Sequence, residues 1–283
     1  MNAFLSNFSW IQLAAGLGLA LLIAGAAYAV RSLSLSGAIA AVVLGTAIFG
    51  LGGLPWAVLL VGFFVSSSVL SRLFKRNKAA VNEKFSKGSR RDAGQVLANG
   101  GIAGLLVIAQ AAFPSINIWW FAAAGTLAAV NADTWATELG VLSRSEPRML
   151  TTGKTVEKGT SGAVSWDGTL AALAGAVVIG LLAIIVWPDY AGGASLAQAP
   201  LRLGLITLAG LTGSFVDSLL GATIQAIYYC PNCAKETERH PLHTCGTGTR
   251  QIRGWRWLGN DGVNWMCALS GALVGALLSV VLF

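Results

Sequence analysis

Residues 34–71 read SLSGAIAAVVLGTAIFGLGGLPWAVLLVGFFVSSSVLS, a stretch without one charged side chain. A transmembrane helix needs roughly 20 mostly apolar residues to cross a hydrocarbon core about 30 Å thick. This stretch holds two such lengths, 34–51 and 54–71, joined across Gly50 to Pro55. Outward from it, similar lengths recur at 11–30, 93–113, 117–142, 161–187, 201–229 and 262–283. The pattern predicts an all-α fold, a polytopic transmembrane helix bundle of about eight spans, or seven if the tight first joints fuse. Composition agrees: of the 283 residues, 55% are hydrophobic and 11% charged, and the mean hydropathy is +0.67. A soluble domain with a polar shell is excluded by that balance.

Charge placement orients the bundle, because Lys and Arg accumulate in cytoplasmic loops. Arg31 follows the first segment. Arg72, Lys75, Arg76, Lys78, Lys84, Lys87, Arg90 and Arg91 follow the third; Arg144, Arg148, Lys154 and Lys158 follow the fifth; Lys235, Arg239, Arg250, Arg253 and Arg256 follow the seventh. Of the 19 basic residues only Arg202 lies elsewhere. Odd-numbered loops are therefore expected in the cytoplasm and both termini outside it, in a plasma (inner) membrane protein whose site faces the cytoplasm. The formal net charge of +7 then needs no nucleic-acid partner. Met1 to Trp10 has no basic n-region, so no cleaved signal peptide is expected. Residues 1–283 read as one membrane domain, with a cytoplasmic Cys/His loop at 230–256.

Polar residues cluster where lipid should be. Asn131, Asp133, Thr134, Thr137 and Glu138 cover nearly half of one helix's circumference. Ser214, Asp217, Ser218, Gly221 and Gln225 fall at the spacing of a single helical face. Asp92, Gln95 and Asn99 open another segment, and Asn260, Asp261 and Asn264 open the last. Such groups also glue helices together or cap their ends. Three acids in apolar surroundings, Asp133, Asp217 and Asp261, repel one another unless a cation joins them. Hard oxygen ligands suit Mg²⁺, which binds through one or two carboxylates plus substrate phosphates.

At the cytoplasmic mouth stands Thr151-Thr152-Gly153-Lys154-Thr155-Val156-Glu157-Lys158-Gly159-Thr160-Ser161-Gly162, before an apolar helix. Glycines, lysines and hydroxyls at a helix start suit a phosphate. The P-loop pattern is not met, since Arg148 stands where its first glycine belongs; an ordinary basic loop is the alternative reading.

The seventh loop contains Cys230-Pro231-Asn232-Cys233, then His240, His243 and Cys245. This spacing fits tetrahedral Zn²⁺ through Cys230, Cys233, His243 and Cys245, with His240 in reserve and a structural role. Free thiols are the alternative; a Cys230 to Cys233 disulfide does not suit a reducing cytoplasm. Cys267 reads as a packed thiol.

Asn131-Ala132-Asp133-Thr134-Trp135-Ala136-Thr137-Glu138-Leu139-Gly140, Lys154 to Gly162, Gly213-Ser214-Phe215-Val216-Asp217-Ser218-Leu219-Leu220-Gly221-Ala222 and Asn260-Asp261-Gly262-Val263-Asn264 together resemble the phytyl-phosphate kinase family of the vitamin E pathway, which includes the animal transmembrane protein 19. The resemblance covers about 30–283, and more distantly the motif order is similar to dolichol kinases and phosphatidate cytidylyltransferases. It implies transfer of a phosphoryl group from CTP, or another nucleoside triphosphate, to a prenyl monophosphate such as phytyl phosphate. On that reading Asp133 and Asp217, with Asp261 as a third, hold Mg²⁺. Asn131, Asn260 and Asn264 orient phosphate or metal-bound water. Lys154 and Thr155 contact nucleotide phosphates, with Glu138 or Glu157 positioning Lys154. Arg90 and Arg91 receive the second phosphate, and Asn99, Thr134, Lys158, Ser161, Ser214 and Ser218 complete the binding set. A cytidylyltransferase needs the same groups. A secondary transporter also uses intramembrane acids, yet here the polar motifs sit at cytoplasmic ends and no internal repeat is present.

Overall fold

The structure is a computed structural model, and it describes residues 9–74, 83–88, 90–116, 118–191, 193 and 195–282. Seven long helices are present among them: α1 (Trp10–Ala29), α2 (Leu35–Leu73), α3 (Ala93–Ala112), α4 (Ile118–Gly140), α5 (Trp166–Ile185), α6 (Ala199–Thr223) and α7 (Asn260–Leu282). Hydroxyl and carboxylate caps set several starts. Ser34 Oγ accepts from Gly37 N at 3.1 Å, Ser165 Oγ from Gly168 N at 3.1 Å, and Asp92 forms a capping box with Gln95. Of the two readings open for Asp92, membrane-site acid or helix cap, the structure shows the cap.

The 39 residues of α2 are two limbs rather than one rod. Gly53 adopts φ +71, a left-handed conformation open to glycine, and Pro55 follows it. The chain folds back on itself there. Arg72, at the end of the second limb, hydrogen-bonds Ser32 Oγ at 3.1 Å, just before the first limb begins. Leu44 and Leu60, one from each limb, both approach Gly100 of α3.

Six helices are long and apolar enough to cross a membrane: α1, α2, α3, α5, α6 and α7. The exception, α4, needs less apolarity because its neighbours enclose it. Every residue from Trp120 to Ala132 is buried, and α2, α3, α5, α6 and α7 all pack on it. Its small residues allow close approach, as they do between helices in lipid. A Cβ on Gly125 would sit 2.4 Å from Gly271 O of α7, and one on Gly213 of α6 would sit 2.4 Å from Ala129 Cβ. Large apolar side chains such as Leu22, Ile39, Val43, Leu181 and Leu277 point outward instead. Their belt is the surface of a protein solvated by lipid.

The connections sort to two ends. At one, Gln12 Nε2 donates to Phe49 O and Gly50 O at 3.0 and 3.1 Å, and Trp120 stacks edge-on against Trp56 and Trp187. At the other, the basic connections interlock. Arg91 N donates to Ser32 O, Lys84 pairs with Glu157 at 2.7 Å, and Arg253 Nη2 donates to Ser161 O at 3.2 Å. Residues 1–8 and the basic positions Lys75, Arg76 and Lys78 lie outside the described residues.

The all-α expectation holds for the bundle and fails in two loops. Between α4 and α5, β1 (Arg148–Met149) pairs antiparallel with β2 (Ala163–Val164). Between α6 and α7, β3 (Ile227–Cys230) lies between β4 (Lys235–Thr237) and β5 (Arg250–Arg253). Helices α5 and α6 accordingly are shorter than the segments 161–187 and 201–229 read from hydropathy. Ile227-Tyr228-Tyr229 extends an apolar run, but β-branched and aromatic residues suit a strand once pairing partners such as Thr237 and Gln251 are available.

Candidate functional site

Helices α2 to α7 and the three loops at the basic end line a cavity of about 350 Å³. The polar end of α4 presents Asp133, Thr134 and Glu138; the stripe of α6 presents Ser214, Asp217 and Ser218. Asn99 of α3 and Asn260 and Asn264 of α7 face them, and Lys158, Ser161, Lys87 and Arg91 come from the loops.

Asp133 and Asp217 approach within hydrogen-bonding reach. As anions neither can donate, and Asp217 Oδ2 is buried with no hydrogen-bond partner among the described residues. Two abutting carboxylates with a bare oxygen form a site built for a proton or a cation.

A third acid joins them. Glu238, just beyond β4, lines the cavity and interacts electrostatically with both aspartates. Burial raises its carboxyl above the usual range, opposed by hydrogen bonds from Ser86 and Gln225. The bonds are 3.1 Å from Ser86 N and 3.0 Å from Gln225 Nε2. Gln225 Oε1 in turn accepts from Ser161 Oγ at 2.6 Å.

Cations line the cavity as well. Lys158 Nζ donates to Ser143 O, and Lys87 Nζ bridges Asp92 at 2.9 Å and Asp261 at 2.5 Å. Arg91 spreads over the rings of Phe63 and Phe64. Burial lowers its guanidinium to about 10, against the pull of Glu138, so it stays charged at neutral pH.

Glycines seat the loop. Gly162 has φ +81, and a Cβ there would lie 2.1 Å from Ala222 N of α6; Gly159 has φ +76. The Lys158-Gly159-Thr160-Ser161-Gly162 run therefore docks backbone to backbone on α6, which turns Lys158 and Ser161 to the cavity.

Other residues expected in the site stand elsewhere. Asn131 is occupied as helix glue: its Oδ1 accepts from Ser66 Oγ at 3.0 Å and Ser67 Oγ at 3.3 Å, and its Nδ2 donates to Gly175 O at 2.8 Å. Lys154 is exposed in the turn of the β1–β2 loop, and Thr155 is exposed beside Arg148. Neither lines the cavity. Positioning of Lys154 by an acid is not seen: Glu157 pairs with Lys84, and Glu138 Oε1 accepts from Ser71 Oγ at 2.7 Å. Arg90 bonds Leu33 O at 3.0 Å and covers Tyr28. Asp261 is held by Lys87 beside the cavity rather than on its wall.

Sequence reasoning missed Glu238 and Lys87 as cavity residues. Glu238 sits in an irregular loop where no periodicity marks it, and Lys87 was absorbed into the topological charge count.

Outside the cavity, one ligand atom each from Cys230, Cys233, His243 and Cys245 gather within 4.8 Å of one another. His240 stands apart, stacked on Tyr228 at 4.4 Å.

Comparison with known proteins adds to this geometry. The chain is 36% identical over 277 residues to Protein PGR of Arabidopsis thaliana, covering 93% of this chain and 94% of that one. It is 33% identical over 196 residues to an uncharacterized membrane protein of Methanocaldococcus jannaschii, covering 69% and 76%. It is 27% identical over 267 residues to Protein VTE6, chloroplastic, of Arabidopsis thaliana, covering 92% and 69%. No solved structure matches. The model of the integral membrane protein DUF92 family matches residues 18–272, and the chain belongs to that family.

Proposed function

We propose that this membrane protein transfers the γ-phosphoryl group of CTP, or of another nucleoside triphosphate, to a prenyl monophosphate, phytyl phosphate being one example, and so makes the diphosphate. The observation that carries the reading is the abutting Asp133–Asp217 pair, with its bare Asp217 Oδ2, in a cavity rimmed by Lys158, Lys87 and Arg91. The motif resemblance to phytyl-phosphate kinases supplies the substrate class.

The donor set fits Mg²⁺: carboxylates from two helices, with the Asn264 amide and Ser218 hydroxyl oxygens lining the same cavity. The ion would neutralise phosphate charge and polarise the γ-phosphorus. Lys158 and Arg91 bind phosphate oxygens from the loop side, with the role expected of Lys154 passing to Lys158. An oxygen of the lipid phosphate attacks the γ-phosphorus, the bond to the β–γ bridging oxygen breaks, and CDP leaves with the electron pair. Orientation and charge compensation suffice for such a step.

The topology is argued from the basic connections. With α2 counted as two crossings the chain spans eight times, and the cavity end faces the cytoplasm of an inner membrane. A lipid phosphate then meets cytosolic nucleotide with its tail still in the bilayer. The assay is purified protein with CTP, Mg²⁺ and a panel of prenyl monophosphates. Prenyl diphosphate is the expected product; CTP left intact with every lipid tested refutes the reading.

A further inference from the structure

The loop between α6 and α7 is too small to fold on its own hydrophobic core. Its three strands are three or four residues long, and its buried side chains amount to little beyond Ala226, Ile227, Tyr228, Thr237 and Leu258. Sheets of this size need a staple. The cluster of Cys230, Cys233, His243 and Cys245 occupies the place of one. Cys230 sits at the end of β3 and Cys233 in the turn to β4; His243 and Cys245 belong to a second tight turn, in which His243 N donates to Thr247 O.

Distances decide between the chemistries open to these thiols. A disulfide needs sulfurs about 2.05 Å apart. Cys230 Sγ and Cys245 Sγ are 3.6 Å apart, and Cys245 Sγ is 3.4 Å from His243 Nδ1. A tetrahedral zinc with Zn–S about 2.3 Å and Zn–N about 2.0 Å has S–S edges of about 3.8 Å and S–N edges of about 3.5 Å. These two edges match that tetrahedron, and the remaining ligand atoms lie within 4.8 Å of one another. Cys230 is fully buried and His243 nearly so, which is costly for a thiolate without a metal.

The hairpin reaches the cavity through Glu238, the residue after β4, and through the 83–88 segment beside it. Thr237 Oγ1 donates to Glu83 O at 3.0 Å, Glu238 N donates to Lys84 O at 2.8 Å, and Lys235 pairs with Glu83. Glu238 Oε2 then takes the Ser86 amide. The hairpin therefore holds both Glu238 and the 83–88 segment, whose Lys87 faces the cavity.

We propose that Cys230, Cys233, His243 and Cys245 bind one Zn²⁺ in a closed tetrahedral site, and that the ion locks the β3–β4 hairpin that lays Glu238 and residues 83–88 over the cavity. Four protein ligands leave no open position, so the ion is structural. The metal site stands whether or not the cavity transfers phosphate.

The test uses the full chain purified in detergent without chelators. Elemental analysis should find about one equivalent of zinc. Cys233→Ser and His243→Ala should lose it, and Cys267→Ser, whose thiol lies in α7 outside the cluster, should keep it. Zinc replaced by Co²⁺ in the wild-type chain should give the intense d–d absorption of a tetrahedral thiolate site, which keeps the test open if the variants fail to fold. Less than roughly a tenth of an equivalent, or unchanged zinc in Cys233→Ser, overturns the site. Hydrogen exchange reads the second half: zinc removal by chelator should speed exchange at the amides of Ser86 and Glu238 while α4 and α6 stay protected. Unchanged protection at both amides overturns the locking role.

Discussion

Asp217→Asn separates the charge of the acidic pair from its shape. The substitution keeps the volume and puts an amide, which can donate, against Asp133. Two unit charges about 4 Å apart at an effective dielectric of about 20 repel by about 4 kcal/mol. A proton shared by the pair, and local relaxation, relieve part of that. In the metal-free protein the variant should therefore be more stable than wild type by roughly 1–3 kcal/mol. Magnesium reverses the order. A cation at 100 times its dissociation constant adds about 2.7 kcal/mol to a protein that binds it only when folded, and the variant should forgo most of this. Turnover should fall by about a thousandfold or more, the scale of a lost electrostatic contact worth roughly 4 kcal/mol in the transition state. Tryptophan-fluorescence melting in detergent, in EDTA and then in Mg²⁺, reads both signs. A variant less stable than wild type in EDTA, or equally stabilised by Mg²⁺, rules out a cation held by the Asp133–Asp217 pair.

The other predictions concern charge, orientation and glue. Burial raises the Glu238 carboxyl, so the native state favours its protonated form. That stability is present below the unfolded value of about 4.3 and is lost as pH rises through the raised folded value; Glu238→Gln should flatten this part of the melting-temperature profile in metal-free buffer. Lys158→Ala should cut turnover by about tenfold or more and Lys154→Ala by less than about threefold, consistent with one charge-assisted phosphate bond of about 1.5–3 kcal/mol; equal losses would argue against the cavity as the phosphate site. Cysteines at Leu54 and Gly193 should react with an impermeant thiol reagent added outside cells, and one at Ser145 should not. Leu54 serves better than Gly52, where a Cβ would lie 2.4 Å from the Trp56 ring. Asn131→Ala should cost about 2–4 kcal/mol of stability through lost helix-to-helix hydrogen bonds, with turnover per folded molecule unchanged, as melting and active-fraction assays can show.

Hydropathy made the bundle legible because lipid imposes a length and a composition on every crossing. It read the two limbs of α2 correctly as separate segments, since Gly53 and Pro55 break a helix by their own chemistry. It overran at Ile227-Tyr228-Tyr229, where apolar residues serve a strand as readily as a helix. Helical spacing found the α6 stripe of Ser214, Asp217 and Ser218, because one face of a helix meets one cavity. The same reasoning could not tell Asn131 from Asp133: two residues apart on α4, they face different neighbours, and only packing shows that Ser66, Ser67 and Gly175 take up the amide. Loop residues were the hardest. Lys154 and Lys158 look equivalent in sequence, and Gly162 docking on Ala222 is what turns Lys158 inward and leaves Lys154 in solvent. Glu238 reaches Asp133 and Asp217 through a fold-back of the β3–β4 hairpin, which leaves no periodic trace.

The proposed transfer of a nucleotide's terminal phosphoryl group onto a lipid phosphate is decided by purified protein given Mg²⁺, phytyl phosphate and CTP labelled in turn at the γ- and α-phosphorus. The expected outcome is γ-label in the lipid diphosphate and α-label wholly in CDP, with both products absent in Asp133→Asn and Asp217→Asn. Label from the α-position in the lipid, with pyrophosphate released, would contradict it and make the protein a cytidylyltransferase.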